Sequence, residues 1–119
     1  MPTLSITTNI PKYKVPSTFL TDASKLVSQI LQTPELYIGV RIKAGQQACW
    51  FDNESPCALG TITGTGNFGT DENKQFSKII FDFIEKQLGV PQNRFYLSFV
   101  EQKPSNIGVK GTTLAEIIQ

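Results

Sequence analysis

The chain contains no histidine among its 119 residues, and this absence excludes several kinds of chemistry. Histidine is the commonest general base near neutral pH, and it takes part in Ser-His and Cys-His nucleophile pairs and in most catalytic zinc sites. A base that works near pH 7 must therefore be a carboxylate, a lysine or tyrosine with a shifted pKa, or the chain's own amino terminus.

The chain also has few cysteines, no large excess of one charge and no long apolar run. Two cysteines, Cys49 and Cys57, are too few for a disulfide scaffold. Eleven Lys and Arg against ten Asp and Glu give a net charge of +1 with no basic block, which argues against nucleic acid as the main partner. No apolar run approaches the ~18 residues of a membrane span, and the first residues lack the layout of a secretory signal. We therefore expect a cytosolic protein without a membrane partner, whose export would need another route.

What the chain does contain is typical of a globular protein with one modest core, since 39% of its residues are hydrophobic and 18% are charged. Residues 4–10, LSITTNI, alternate apolar and polar side chains as a half-buried strand does. A helix capped by Ser17 or Thr18 follows, and Pro34 lies just beyond its end. Its apolar stripe at helical spacing comprises Leu20, Ala23, Leu26, Val27, Ile30 and Leu31. The alternating stretch YIGVRIK, residues 37–43, predicts a second strand.

The same order of signals returns in the second half. ALGTITGTG, residues 58–66, indicates a short strand and a turn. Asp71 can cap a helix that Gly89 and Pro91 close, and RFYLSFV, residues 94–100, predicts a strong strand. The stripe of this helix comprises Phe76, Ile79, Ile80, Phe83, Ile84 and Leu88.

The two halves align when the chain is offset by 57 residues, because the helix stripes, the prolines that follow them and the strands then coincide. This predicts one α/β domain over residues 1–119, made of two βαβ pseudo-repeats at about 1–57 and 58–119. Right-handed crossovers place both helices on one face of a four-stranded mixed sheet.

The other face of this sheet would be uncovered in a single chain. Parallel strand pairs are rarely left bare on one face. We therefore expect other copies of the chain to cover this face, which carries Tyr37, Gly39, Tyr96 and Ser98.

Six stretches, taken together, resemble the macrophage migration inhibitory factor and D-dopachrome tautomerase family over essentially the whole chain. They are MP at the start, TNIP at 8–11, TPELYI after the first helix, SPCALG at 55–60, PQNRFYL at 91–97 and NIGVKGTT at 106–113. The resemblance implies a homotrimer whose sheets form an inner barrel, with a pocket at each subunit boundary and no cofactor. It also implies keto–enol tautomerisation of a small aromatic keto acid such as phenylpyruvate, or of dopachrome. Several members act outside the cell as cytokines and leave without a signal peptide, so the resemblance also implies a cell-surface receptor as a partner.

Pro2 is the catalytic residue that the resemblance implies, and its chemistry fits the task. A tautomerase needs a neutral, fixed base to take a proton from the carbon next to a carbonyl. A proline amine has one lone pair on a rigid ring, so little freedom is lost in aiming it. An ordinary α-amino group titrates near ~8, and burial in an apolar pocket lowers that value. Met1 must be removed first, because an acylated proline nitrogen has no basic lone pair.

The substrate-binding positions of the family match this chain only in part. The lysine that binds the substrate carboxylate is replaced by Thr33, which carries no charge. Arg41 or Lys110 are the candidates to replace that cation, and Lys110, in the segment that the family uses near the pocket rim, is the better one. The turn residue that gives a backbone amide to substrate is Thr65 here, and a backbone donor tolerates the change of side chain.

Three further positions make the expected pocket less aromatic than the family pattern. The tyrosine of the last long strand is kept as Tyr96, for which plain packing is the alternative role. The asparagine two residues on is Ser98 here, and the aromatic residue of the tail is Val109. We expect Tyr96 and Ser98 to be substrate contacts.

The stretch CALG departs from the CxxC of some relatives, because Gly60 stands where the second cysteine would be. A CxxC mechanism needs its resolving thiol, so we expect no thiol redox activity. We predict that Cys57 is a small buried apolar residue. Cys49 is predicted to serve packing, and Trp50 and Phe51 a core or a subunit contact.

Two hypotheses of function remain open at this point. In the first, the protein is a tautomerase-family homotrimer with weak or altered activity and a signalling role, and Pro2 and Tyr96 favour it. In the second, it is a catalytically silent binding protein of the same fold that acts through its surface, and Thr33 favours it.

Overall fold

The computed structural model describes residues 1–48 and 53–118. The predicted packing roles of Cys49, Trp50 and Phe51 fall outside these residues. In the described part of the chain, no helix has both the length and the apolar content needed to cross a membrane.

The strands are β1 (Thr3–Thr8), β2 (Gly39–Lys43), β3 (Ala58–Gly64), β4 (Phe95–Glu101), β5 (Gly108–Val109) and β6 (Thr112–Thr113), and the helices are α1 (Phe19–Leu31), α2 (Thr70–Leu88) and α3 (Leu114–Ile117).

The main sheet has four strands in the order β2-β1-β3-β4. β1 is parallel to β2, β3 is parallel to β4, and the two central strands β1 and β3 are antiparallel. Each half of the chain therefore contributes one parallel pair with its connecting helix, and the halves join through the antiparallel pair. The predicted α/β fold with a mixed four-stranded sheet is confirmed.

Both long helices pack on the same face of this sheet. Along β1 and β3 every second residue is buried, as a sheet covered on one side requires. The Phe19 ring of α1 lies 5.6 Å from the Phe83 ring of α2, so the helices also contact each other. The centre of the core comprises Leu4, Ile6, Phe19, Ala23, Val27, Ile62, Ile80, Ile84 and Phe95, each at most 2% exposed.

Two members of the predicted apolar stripes lie outside the core. Leu20 is 48% exposed and Ile79 is 39% exposed, so their predicted burial is wrong. Phe19 is the first residue of α1 and takes the core position next to Leu20, and Ile80 does the same next to Ile79. Adjacent helix residues point about 100° apart, so only one of each pair faces the sheet.

The helix caps differ in detail from the prediction. Thr18 is the N-cap of α1, and its hydroxyl donates to the Asp22 carboxylate at 2.9 Å instead of accepting from the backbone. The predicted cap Asp71 is wrong, because Gly69 is the N-cap of α2 and Asp71 lies in the first turn. A carboxylate in the first turn is favoured there by the helix dipole, so the sequence signal for a helix start was correct within two residues.

The loop that leads into β3 is held by side chains from two of the quoted motifs. Asn9 donates to the carbonyls of Glu54 and Ser55 at 2.9 and 3.0 Å and accepts from the Cys57 amide at 2.9 Å. Arg94 donates to the same loop from the other half of the chain, as described below. Cys57 is 2% exposed, which confirms its predicted burial.

Candidate active site

Pro2 stands immediately ahead of the central strand β1 and is fixed there by its neighbours on both sides. Its carbonyl accepts a hydrogen bond from the Gly39 amide at 3.1 Å. The next amide, that of Thr3, donates to the Thr63 hydroxyl at 3.1 Å, and the two threonine hydroxyls lie 2.7 Å apart. Pro2 itself is buried. The start of the chain is therefore tied to β2 and β3.

A cavity of about 380 Å³, called the Pro2 cavity below, lies against this residue. Its apolar lining comes from both ends of the chain, and its polar lining comes from three turns. The lining residues are Met1, Pro2, Thr33, Tyr37, Thr65, Asn67, Val109, Lys110, Leu114, Ile117 and Ile118. The volume suits a ligand of one aromatic ring with a short side chain, because ligand cavities of ~300–1,000 Å³ hold drug-sized molecules.

Burial lowers the pKa of the amino group of Met1, which lines the same cavity, below its ordinary value of 8.0. The cause is the loss of hydration of the charged form, since a partly apolar surrounding favours the neutral amine. Near pH 7 a larger fraction of this amino group is therefore neutral than in an unburied amino terminus.

Thr33 reaches the cavity from the turn after α1, but its own groups already have partners. Its hydroxyl donates to the Leu31 carbonyl at 3.2 Å, and its carbonyl accepts from the Ser28 hydroxyl at 2.6 Å. The Thr33 side chain is thus a neutral group that is engaged within its own turn, and it brings no cation to the cavity.

Lys110 is the one charged side chain among the described residues that line the cavity. It lies in the two-residue turn between β5 and β6, where Lys110 and Gly111 have φ values of 53° and 77°. Two successive positive φ values define the tight turn that suits a hairpin. Arg41, the other candidate cation, lies outside the cavity, where its Nε donates to the Ser5 hydroxyl at 2.7 Å on the uncovered face of the sheet.

Thr65 lines the cavity from the turn after β3, and the backbone donors of that turn are occupied. The Thr65 amide donates to Asn67 Oδ1 at 3.0 Å. The next amide, that of Gly66, donates to Glu101 Oε2 at 2.5 Å. The position predicted from the family pattern thus lies at the cavity, with its N–H engaged by a side chain of this chain.

Tyr96 and Ser98 are not part of the Pro2 cavity of a single chain. Both lie on β4 and are exposed, Tyr96 to 66%, on the sheet face that the helices leave uncovered. Of the six predicted site residues, the structure therefore brings together Pro2, Thr33, Thr65 and Lys110, and it leaves Tyr96 and Ser98 on a separate surface.

Sequence reasoning missed several residues that line the cavity. The sequence pattern places Tyr37 only on a strand face and gives no signal for Asn67. The apolar tail also went unnoticed, although its side chains Leu114, Ile117 and Ile118 form one wall. The only signal in the tail was a four-residue apolar pattern, which is too short to distinguish a helix from a strand.

The fold and the cavity together define a small α/β protein of two βαβ units, with a buried proline at the head of its central strand. The family model of macrophage migration inhibitory factor matches residues 1–115. The chain is 35% identical to the macrophage migration inhibitory factor of Xenopus tropicalis over 115 residues, which cover 97% of this chain and all of that protein. It is 38% identical to the homolog from Trichinella spiralis, over 95% of this chain and 99% of the homolog.

The solved structures give the same result. The structure of the macrophage migration inhibitory factor from Trichinella spiralis superposes with a TM-score of 0.91 at 36% identity, covering 93% of this chain and 98% of that one. The chain belongs to the macrophage migration inhibitory factor family. The resemblance drawn from the sequence motifs is confirmed.

Proposed function

We propose that the protein is a homotrimeric keto–enol tautomerase of weak or altered activity that uses the Pro2 amine as its base. Its substrates would be small aromatic keto acids such as phenylpyruvate, or dopachrome and its esters. The observation that carries the proposal is the position of Pro2: it is buried beside a mostly apolar cavity, its carbonyl is bonded to Gly39 of β2, and the next residue, Thr3, is bonded to Thr63 of β3. The proposal requires removal of Met1.

The chemical step is a proton transfer in two halves. The neutral Pro2 nitrogen takes a proton from the carbon next to the substrate carbonyl, so the C–H bond breaks and an N–H bond forms. The electron pair becomes the C=C bond of the enol, and the carbonyl oxygen takes up a proton from solvent. Return of the Pro2 proton to solvent regenerates the base, and the reverse sequence gives the ketone.

The remaining predicted residues are proposed as substrate contacts. Thr33, Thr65 and Lys110 line the same cavity as Pro2, with Lys110 supplying positive charge at its rim. Tyr96 and Ser98 are proposed to come from a neighbouring subunit, since they are exposed on the sheet face that other copies would cover. We also propose a cytokine-like role outside the cell, through a surface receptor, after release without a signal peptide.

The first test is an activity measurement on protein whose intact mass shows that Met1 is absent. The absorbance of phenylpyruvate and of a dopachrome ester should change faster than in buffer. Pro2→Gly should lose at least about a hundredfold, in line with the ~10²–10⁴-fold contribution of a positioned base. Pro11→Gly, a proline outside the cavity, is the matched control and should retain the rate. A chain with one alanine inserted before Pro2 should be as inactive as Pro2→Gly.

The second test addresses the assembly. Light scattering should give three times the mass of one chain. Pro2→Gly and Tyr96→Ala chains, each weak alone, should regain activity after joint refolding, because a mixed trimer pairs an intact Pro2 with an intact Tyr96 across a boundary. A single-chain mass, or mixed samples no more active than their components, would contradict the shared site.

The alternative candidate is a binding protein without catalysis, and Thr33 is the observation that favours it. Thr33→Lys distinguishes the two. If the protein is a tautomerase that lacks only the cation for the substrate carboxylate, this variant should raise kcat/KM on phenylpyruvate about tenfold. The reason is that a charge-assisted contact adds roughly 1.4 kcal/mol or more. A flat trace for both proteins at high concentration would leave the binding role.

A further inference from the structure

The turn that follows β3 presents two consecutive backbone N–H groups, those of Thr65 and Gly66, at the edge of the Pro2 cavity. Consecutive amides in a turn of this kind are groups with which proteins hold anions. In this chain both donors are already satisfied from within, by Asn67 Oδ1 at 3.0 Å and by Glu101 Oε2 at 2.5 Å. Asn67 is half-buried and lines the cavity beside Thr65.

The space for the Asn67 side chain depends on Gly64, the last residue of β3. A Cβ at position 64 would lie 2.7 Å from Asn67 Oδ1 and 3.1 Å from the Phe68 ring. Both distances are shorter than ordinary van der Waals contact. Gly64 therefore leaves the room in which the Asn67 amide oxygen reaches the Thr65 N–H.

Two other polar groups of the cavity are weak substitutes for this occupied donor. The Thr33 hydroxyl donates to Leu31, and Lys110 is exposed at the rim. A substrate carboxylate that binds the Thr65 amide would have to displace Asn67 and approach the negative charge of Glu101. A neutral ketone or ester of the same shape needs no hydrogen bond from the Thr65 amide, because it binds by packing against the apolar wall. It therefore loses no binding energy when the bond between Thr65 and Asn67 stays in place.

We propose that Asn67 determines specificity at this site: its amide oxygen occupies the Thr65 N–H in place of a substrate carboxylate and so selects uncharged aryl ketones and esters over aryl carboxylates. This inference rests on the proposed function and ranks its two kinds of substrate: it places uncharged dopachrome esters above phenylpyruvate, whose carboxylate would have to displace Asn67. A pocket whose turn amide is free to bind an anion would instead prefer the carboxylates.

The experiment compares two unreactive ligands of the same shape, 3-phenylpropionate and its methyl ester. Binding is measured by calorimetry, and the Thr65 amide is followed by ¹H–¹⁵N NMR. Wild-type protein should bind the ester at least about fivefold more tightly. Asn67→Ala, which frees the amide, should tighten carboxylate binding about tenfold, as expected for a hydrogen bond to a charged group, and change ester binding less than about twofold. The Thr65 resonance should then shift with the carboxylate but not with the ester.

Two further variants keep the test decisive. Asn67→Asp retains the acceptor and adds charge, so it should weaken carboxylate binding further and leave ester binding unchanged. Asn73→Ala removes another asparagine whose side-chain oxygen accepts a backbone N–H, that of Gly69, outside the cavity, and it should change neither ligand. The proposal is overturned if wild-type protein prefers the carboxylate, if it binds no ester at millimolar concentration, or if Asn67→Ala affects both ligands equally. Because neither ligand is turned over, failure of tautomerase activity leaves these results unchanged.

Discussion

The turn after α1 and the turn after α2 have the same backbone and different roles. Each begins with a left-handed residue that ends the helix, and each continues through a proline into one turn of 3₁₀ helix. Corresponding positions lie 57 apart: Gln32 and Gly89, Thr33 and Val90, Pro34 and Pro91, Tyr37 and Arg94. The repeat seen in the sequence is therefore a repeat of backbone shape.

The side chains of the two turns have diverged. Thr33 is half-buried at the Pro2 cavity, whereas Val90 is 1% exposed within the core. Tyr37 also lines the cavity, whereas Arg94 holds the loop before β3. Helix-stop signals and proline therefore fix the path of the chain, while the exposure of each position determines which side chains it accepts.

The largest expected difference between the turns concerns a lysine at the paired positions 33 and 90. Val90→Lys should lower the free energy of unfolding by about 3–5 kcal/mol, because it places an unpaired charge in the core. Thr33→Lys should change it by less than about 1 kcal/mol, because the new ammonium group reaches the cavity. Urea denaturation measures both, and equal losses would show that the two turns are not differently buried.

A smaller difference is expected at the paired positions 37 and 94. Arg94 donates to the carbonyls of Asn53, Ser55 and Pro56 at 3.0, 2.8 and 2.9 Å. Arg94→Ala should therefore lower the free energy of unfolding by about 1–2 kcal/mol and raise hydrogen exchange in that loop. A hydrogen bond from a charged donor contributes ~1.5–3 kcal/mol when it is buried, and these bonds contribute less because they are exposed. Tyr37→Ala should cost less than half as much and instead weaken binding in the Pro2 cavity. Loss of loop protection in Tyr37→Ala would remove this distinction.

The smallest difference concerns the left-handed residues that end the helices. Gln32 has φ 52° and Gly89 has φ 70°. A left-handed conformation costs a non-glycine residue roughly 1 kcal/mol relative to glycine. Gln32→Gly should therefore stabilise the protein by about 0.5–1 kcal/mol, and Gly89→Gln should destabilise it by about 1 kcal/mol. Thermal unfolding of the pair tests this, and two changes of the same sign would contradict the equivalence of the turns.

The sequence predicted the main sheet and both long helices, since the alternation of β1 to β4, the helix stripes and the prolines indicated these elements, but it did not predict β5, β6 or α3. The predicted helix stripe was wrong where two apolar residues stand side by side, as at Phe19 and Leu20. The apolar pattern alone does not tell which of the two faces the sheet. The cap of α2 was misplaced for a similar reason, because Asp71 favours the first turn as well as the cap position.

The candidate site could be predicted only in part. Pro2, Thr33, Thr65 and Lys110 came from the order of motifs, and they line one cavity. The roles of Asn67 and of the apolar tail depend on how turns that are distant in sequence meet, which no local pattern reveals. The surroundings of Tyr96 and Ser98 depend on neighbouring copies, so neither the sequence nor one chain determines them.

The most direct test of the account is the pKa of the Pro2 amine in protein that lacks Met1, measured by NMR titration of isotope-labelled proline. We predict a midpoint below the ordinary ~8 of an α-amino group, because Pro2 is buried at the cavity where burial already lowers the pKa of the Met1 amino group. Since the neutral amine is the base, tautomerase kcat/KM should rise with pH through the same midpoint and then stay level. A midpoint at or above ~8, or a Pro2 nitrogen that remains amide-bonded to Met1 in the natural protein, would contradict the account.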